Sequence, residues 1–586
     1  MVAMTENKLK FTLKILADGL LGYMTEDFAD GSLNGGILCP ACHTMHGRIA
    51  DAAYPLTLLT SLTGEEKYAE AAKKFVVWSE ENCVMPDGGY RNDAANGWEG
   101  VTAFSCIGYE KCLIYCRAAL DDDFENILTS AVKRQLSMLD GLMEKLKPVV
   151  NYRAGTSLAY ALGYRLFGNE RYLRISEKWE KSCREFVTES GLLRGEGTPC
   201  SYVSPRSFVP VDIAYNAEET LPSLICACRE VGDSESLAFW IKCAETHAEF
   251  MLPDGAWDGG FGSRRYKWSY YGSRTADGIQ TARCTGSESP ILAEASHRNA
   301  LLIESLIHRG LVTGGAMFRE AGEPTCLHHT FCRMKSFADV LTSGDFSSPA
   351  ALPSDGFCGE KRYPEIGVYR VGRGNMRVSL ACNDVEYAGD CVGNSLALAW
   401  HKRIGAVFSA TMPDYRLIEP QNMQLSRKHD LRQSGTLRLE TTVGGTPLDS
   451  VRDKNARLFL KSSDEKCAAF VSEGHFCGRG ETSEYRFRIE YGIRADSITV
   501  KASVDCDCRL ILPIIASYDD KVCIRSGTDI YVERGGVTVS VESESGVFLS
   551  GGANNRIFSP VGGFLYAQMY AEIRKGKETE VKVIVV

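Results

Sequence analysis

At 586 residues, 44% hydrophobic and 24% charged, the chain is too long for one core and ordinary in composition for a globular protein; ~150 residues per domain predicts two to four units. A formal net charge of -9 argues against the broadly basic surface that nucleic acid requires, while leaving room for local basic clusters on an anionic substrate. The opening MVAMTENKLKFTLKILADGLLGY has no uninterrupted apolar core and no small-residue cleavage site. No later segment offers ~18 consecutive apolar residues, so neither secretion signal nor membrane span is predicted and a cytoplasmic location is expected.

The 22 cysteines are scattered through helical patterns as small apolar residues would be (Cys106, Cys112, Cys116, Cys226, Cys228), which reads as free thiols in a reducing compartment. The exception is Cys39-Pro40-Ala41-Cys42 with His43 and His46 close by. This is half of a zinc site or a redox pair, and no second CxxC completes it, so no metal or other cofactor is expected.

Periodicity is helical up to about residue 345, and one pattern recurs: an apolar helix, a Gly turn with acidic or amide residues, then an amphipathic helix. It stands as YPLTLLTSLTGEEKYAEAAKKFVVW around Gly64, LAYALGYRLFGNERYLRISEKW around Gly168 and LPSLICACREVGDSESLAFWIKCAETH around Gly232, with a fainter copy near Leu120. Gly closing one helix and acidic residues opening the next is sound capping chemistry. Repeated hairpins must bury one face on their neighbours, which predicts a curved array or a toroid. The unusual residues fall in the connecting loops: Gly35 to Arg48, Pro86 to Glu99, Pro148 to Arg153, Leu193 to Asn216, and Ala256 to Arg298.

The last of these loops, AWDGGFGSRRYKWSYYGSRTADGIQTARCTGSESPILAEASHR, concentrates Arg264, Arg265, Arg274 and Arg283 with Trp257, Trp268, Tyr266, Tyr270 and Tyr271. Guanidinium forks and aromatic faces together suit a carboxylate-bearing sugar. A loop of solvated arginines with aromatics packed beneath it is the plainer reading.

Near 345 the run TSGDFSSPAALPSDGF marks a boundary, giving domains at 1–345 and 361–586 with a linker at 346–360. Beyond it the chain alternates as strands do: GVYRVGRGNMRVSLAC forms a hairpin about Gly372 to Gly374, and NSLALAW, ARLFLKSS, YRFRIEY, SITVKASV, RLILPII, GVTVSVES and ETEVKVIVV follow. So many strands with no convincing helix predict stacked antiparallel sheets, a β-sandwich.

An N-terminal incomplete (α/α) toroid followed by an antiparallel β-sandwich, with GVYRVGRGNMRVSL and then NSLALAWHKRIGAVFSATMPDYRLIEP opening the β domain, resembles the heparinase II/III-like and alginate-lyase-like polysaccharide lyases. That resemblance implies β-elimination on a uronate: Arg or Asn neutralises the carboxylate, Tyr or His removes the C5 proton, and Tyr protonates the leaving oxygen. The family often carries a His/Asp zinc site in the β domain; the corresponding EYAGDCVGNSL has no histidine.

Transferred to this chain, the best match is Asp212 to Glu219, with Tyr215 as acid or base and Asn216 on the carboxylate; Asn151 with Tyr152 is a second copy. Asn216 serves equally as a helix cap and Tyr215 as packing. His297, opening a helix after the Arg-rich loop, is a further acid–base candidate, or simply a satisfied histidine. Substrate contacts are expected from Arg264, Arg265, Trp268, Tyr271, Arg274, Asp277, His46, Arg48, Trp98, Asn151, His328 and His329, the last two alternatively packing at the domain junction. An alternative is an α-toroid glycoside hydrolase, which needs two carboxylates flanking the bond; Asp93, Glu99, Glu219 and Asp258 are candidates. A non-catalytic glycan-binding protein is a third reading. The expected partner is an acidic oligosaccharide or polysaccharide, with no nucleic acid and no membrane, and homo-oligomerisation left open.

Overall fold

The computed structural model describes residues 4–93, 97–197, 200–267, 269–282, 288–346, 350–387, 389–419, 423 and 434–586. Its helices are α1 (Glu6–Leu21), α2 (Ala53–Thr63), α3 (Lys67–Cys83), α4 (Thr102–Tyr115), α5 (Asp122–Leu146), α6 (Val150–Phe167), α7 (Glu170–Arg184), α8 (Ile213–Tyr215), α9 (Leu221–Val231), α10 (Ser234–Ala248), α11 (Pro290–Ser305), α12 (Phe318–Ala321) and α13 (Leu327–Ser343). Sequence separates the helices into two layers. In α4 every residue from Thr102 to Leu113 is buried, whereas α7 buries only Ile175, Ser176, Trp179, Glu180 and Cys183 along one stripe. A helix apolar all round belongs inside, and an amphipathic one covers it.

The inner helices α2, α4, α6 and α9 pack in succession, each paired with its outer partner α3, α5, α7 or α10. A 3-10 turn, Ile279–Ala282, stands between α9 and α13, and α13 returns onto α2 and α1. The ring of helices is therefore incomplete, with irregular chain filling one place. Three of the hairpins turn where the Gly-acidic pattern predicts: Gly64, Gly168 and Gly232 close α2, α6 and α9 with φ of 73°, 64° and 76°. Those left-handed values cost an L side chain roughly 1–2 kcal/mol and glycine very little. The fourth turn runs through Arg117–Ala119 to Asp121, whose carboxylate caps α5 at Phe124 N.

The C-terminal part is antiparallel throughout its described pairings. After a short hairpin, β1 (Ile307–His308) and β2 (Leu311–Val312), a five-stranded sheet runs β3 (Gly359–Tyr363), β4 (Val368–Arg373), β5 (Met376–Tyr387), β6 (Asp390–His401) and β7 (Gly405–Ser409) in chain order. A 14-stranded sheet takes the rest of the chain to Thr579–Val585. The sheets share one core, with Val371, Val378, Leu380 and Leu396 of the small sheet among Phe470, Ile489, Val500, Leu512 and Val583 of the large one. Strand alternation shows in Ser497–Val504, where half-buried and buried residues alternate without a break.

The loop from Ala256 to Ala276 is buried at every described residue, which overturns the picture of a solvated loop. It is the joint between toroid and β domain. Arg265, expected on substrate, instead forks onto Asp390 of β6, with both N···O distances at 3.0 Å, and donates to the Cys391 carbonyl at 2.6 Å. Tyr271, also expected on substrate, packs edge-on against Tyr270 and tilted against Phe564. Asp258 accepts from Ser379 of β5, with Arg370 at 4.0 Å. Breaking a buried pair strands the partner's charge, so Arg265→Ala is expected to cost roughly 3–5 kcal/mol of stability, read by chemical denaturation. A loss under about 1 kcal/mol would show that the joint does not depend on this fork.

Candidate active site

Tyr215 ends the single turn of α8, capped by Asp212, whose Oδ1 accepts from Tyr215 N at 3.0 Å. The next five residues, Asn216–Thr220, form a π-turn before α9 begins. Such turns recur at functional sites because the extra residue re-aims the side chains around it. Here it lets the consecutive Glu218 and Glu219 both point inward. Glu218 is fully committed, accepting from Trp257 Nε1 at 2.9 Å, Ser273 N at 2.8 Å and Arg333 Nη2 at 2.9 Å. Glu219 accepts from Asn151 Nδ2 of α6 at 2.7 Å.

The Tyr215 phenol pairs with Thr275 Oγ1 at 2.9 Å. The Arg264 guanidinium carbon lies 4.5 Å from the centroid of its ring, and Lys267 Nζ 5.4 Å. Arg264 also reaches Glu196 at 3.1 Å and Glu419 at 3.0 Å, and Lys267 reaches Glu419 at 2.8 Å. Arg48 donates to the Thr275 carbonyl at 3.4 Å and pairs with Asp51, which also takes Lys335; Lys335 in turn holds Asp277 at 2.7 Å. At the edge, half-buried Trp98 and Tyr152 meet edge-to-face at 5.4 Å. Gly100 makes that contact feasible, since a methyl there would fall 2.5 Å from Trp98 Nε1 and 2.7 Å from Tyr152.

The electrostatics follow from burial around shared ions. Burial pushes the Tyr215 phenol well above 10, aided by the Glu219 charge and opposed by Arg264, so it is protonated at neutral pH. Burial raises the Glu219 carboxyl to about 7 against the pull of Arg48, and Glu196 likewise to about 7 against Arg264. Burial and the like charge of Arg264 bring Lys267 down to about 8; Glu419 pulls the other way but is shared with Arg264. Asn151 Oδ1, Glu219 Oε2, Glu196 Oε1 and Arg264 Nε are buried with no hydrogen-bond partner among the described residues. Buried polar atoms are ordinarily paired, so a cluster of open ones around a phenol is what a polar ligand would complete.

The structure thus brings together Tyr215, Tyr152, Asn151, Arg48, Arg264, Asp277, Glu219 and Trp98. It separates the others. Asn216 donates to the Leu193 carbonyl at 2.5 Å and faces His247 of the outer helix α10 at 3.5 Å, so its amide is turned away from the carboxylate role expected of it. His297 is half-buried on α11, with Glu294, Arg298 and Lys8 of α1 as its charged neighbours. Among the hydrolase carboxylates, Glu99 faces Asp87, Asp258 is at the domain joint, and Asp93 bridges by backbone to His46. Only Glu219 of those four is in the cluster. Trp268 and Arg283 lie outside the described residues. Lys267 and Glu196 were missed: Lys267 stands in the RRYKW run but was outweighed by its arginines, and Glu196 in RGEG has no local signal.

His46, Arg274 and His328 were expected on substrate, but they gather around Cys39, Cys42 and Cys326. His46 Nε2 is 3.2 Å from Cys42 Sγ, its ring lies 3.9 Å from that of His328, and Arg274 donates to Cys326 Sγ at 2.7 Å. His329, next on α13, is buried beside Arg333 and Arg274, and burial holds its ring neutral. The motif CPACHTMH is therefore joined by a third cysteine, Cys326, which no spacing in the sequence links to it. In the β domain, Asp390 is taken by Arg265, and among the described residues no group of His, Cys, Asp and Glu there gathers as a metal site would.

A hollow of about 1080 Å³ lies in the β domain, but its charges pair with one another, Arg438 with Glu440 and Arg574 with Glu572. Its described lining contains no Tyr, His or Lys.

The folded Glu219 pKa of about 7 stands above its ordinary value of 4.5. Its ionisation therefore costs the folded state nothing below 4.5 and roughly 3 kcal/mol above 7, and stability falls as pH rises through that window. Glu219→Gln is expected to melt like the parent at about pH 4 and higher than the parent at about pH 8. An equal offset at both pH values would contradict a raised Glu219.

The chain matches the Ulvan lyase N-terminal domain over residues 13–352 and the Ulvan lyase C-terminal domain over 360–586. It is 30% identical over 575 residues to a broad-specificity ulvan lyase of Formosa agariphila, covering 94% of this chain and 89% of that one. Among solved structures, the chondroitin AC lyase of Streptomyces coelicolor A3 in complex with chondroitin sulphate aligns with TM-score 0.53 at 12% identity, over 99% of this chain and 79% of that one. A heparinase III aligns with TM-score 0.50 at 10% identity, over 99% and 85%. These two share the toroid-plus-β architecture. With both domain models matched and a full-length relative at that identity, the chain belongs to the ulvan lyase family of polysaccharide lyases.

Proposed function

We propose that this protein cleaves an acidic, uronate-containing polysaccharide, ulvan among its substrates, by β-elimination at the Tyr215 cluster. The observation that carries the reading is the phenol of Tyr215 held against Arg264 and Lys267 amid buried polar atoms that the protein leaves open. The uronate carboxylate is placed between Arg264 and the Asn151–Glu219 pair; Glu219, largely un-ionised up to about pH 7, donates a hydrogen bond to it. Charge neutralisation acidifies the C5 proton. Lys267 is the base, because a buried amine near 8 has an unprotonated fraction at working pH. As the C4–O bond breaks and the C4–C5 double bond forms, Tyr215 gives its proton to the leaving oxygen. The proton held by Lys267 then returns to the phenolate, which restores the site. This places tyrosine in the acid role and leaves no place for His297.

The scattering of Asp93, Glu99 and Asp258 disfavours the paired-carboxylate hydrolase. The described cysteines are free thiols, which supports a reducing compartment and with it the cytoplasm.

Turnover is read by the ultraviolet absorbance of the conjugated C4–C5 double bond. Tyr215→Phe removes the proton donor and keeps the ring, so kcat should fall by ~10²-fold or more while stability changes by about 1 kcal/mol or less. A destabilised but fully active variant would mark Tyr215 as packing. Arg264→Lys keeps the charge and loses the fork, with an expected loss in kcat/KM of ~10-fold or more. For the base, kcat/KM of the parent should rise with pH to a maximum between about 7 and 8 and fall above it, because Lys267 must lose its proton while Glu219 keeps its own. A pH-independent profile across that region, or an active Lys267→Met, would remove Lys267 from the role.

A further inference from the structure

We infer that Cys39, Cys42, His46 and Cys326 form a closed structural zinc site that seals the toroid seam, with Arg274 as its charge-balancing neighbour. Their ligand atoms all lie within 4.8 Å of one another. Cys39 Sγ and Cys326 Sγ are 3.9 Å apart, far beyond the ~2.05 Å of a disulfide bond. Two sulfurs each ~2.3 Å from a tetrahedral metal would stand about 3.8 Å apart, which is the spacing found. His46 Nε2 lies 3.2 Å from Cys42 Sγ.

The local chain is shaped for such a centre. Cys39 and Cys42 sit on a tight turn closed by His43 N to Cys39 O at 3.0 Å and Cys39 N to Thr44 O at 3.1 Å, with His43 at φ 54°. Cys326 is the cap residue of α13, where the helix dipole favours a thiolate. Cys39, His46 and Cys326 are 2% exposed or less. Loading the site releases three thiol protons to solvent and leaves three thiolates, a neutral imidazole and a dication, one negative charge overall. Arg274, donating to Cys326 Sγ at 2.7 Å, offsets that charge. Among the described residues the converging ligand atoms make a Cys₃His set of four, which suits structural zinc, not a catalytic metal that keeps an open position.

The position gives the site its purpose. It ties the segment before α2 to the start of α13, across the seam where α13 returns onto α2, and residues 287 apart in sequence become neighbours. Through Arg274 it also borders Thr275, the partner of the Tyr215 phenol.

Full-length protein purified without added metal and without chelator is expected to hold one zinc per chain by elemental mass spectrometry. Cobalt(II) in its place should give the intense visible bands of a tetrahedral thiolate centre, a readout that needs no turnover. Cys326→Ser should lose the metal and melt lower by roughly 5–10 °C. If Cys326→Ser fails to fold, the parent protein still decides the matter, since extraction of its metal under mild denaturant should lower its melting temperature and zinc alone should restore it. Metal content near zero that zinc under reducing conditions does not raise, iron in place of zinc, or a Cys39–Cys326 or Cys39–Cys42 disulfide in peptide maps would each overturn the inference.

Discussion

One buried carboxylate holds the catalytic joint in register. Glu218 is wholly inside the protein and takes three donors: an indole from the start of the Arg-rich loop, a backbone amide from its far end and a guanidinium from α13. A buried charge is tolerable only when its lone pairs are filled, so the loop must return to meet it. That return brings Arg264 and Lys267 over Tyr215 and Thr275 beneath its phenol. Because the π-turn sets Glu218 and Glu219 side by side, fixing the first also fixes the second against Asn151.

The chemistry then comes from unequal sharing of ions. Glu419 serves Arg264, Lys267 and the Tyr266 hydroxyl together. A guanidinium stays charged in any such arrangement, so the shortfall falls on the lysine, and the amine beside the phenol is brought toward neutral pH. Burial and the Glu219 charge keep the phenol protonated against the pull of Arg264. A protonated phenol and an amine lowered toward neutral pH therefore stand side by side, the pair that the proposed elimination uses.

What could be read from sequence depends on how far the signal travels along the chain. The toroid showed in Gly64, Gly168 and Gly232 because helix capping is local, and the sheets showed in alternation such as SITVKASV for the same reason. Tyr215, Asn151 and Arg264 also stood out, as residue types with chemistry at the mouths of helices and loops. Arg265, Tyr271 and Arg274 looked equally suited to a sugar, since a guanidinium reads alike whether its fork meets a uronate or Asp390, 125 residues away. Cys326 was illegible as a partner of Cys39 for the same reason: only the closing of the ring brings the two together. The direction of the Asn216 amide, toward Leu193 and not the cleft, follows from the π-turn, which no periodicity announces.

Elimination and hydrolysis differ in the fate of water, and that difference tests the account most directly. Cleavage of ulvan by the unmodified protein in water enriched in the heavy oxygen isotope should yield new non-reducing ends that carry an unsaturated uronate and new reducing ends that acquire no solvent oxygen at the step of cleavage. Products saturated at C4 and C5, with one heavy oxygen gained per bond broken, would mean that the Tyr215 cluster does not perform the reaction assigned to it.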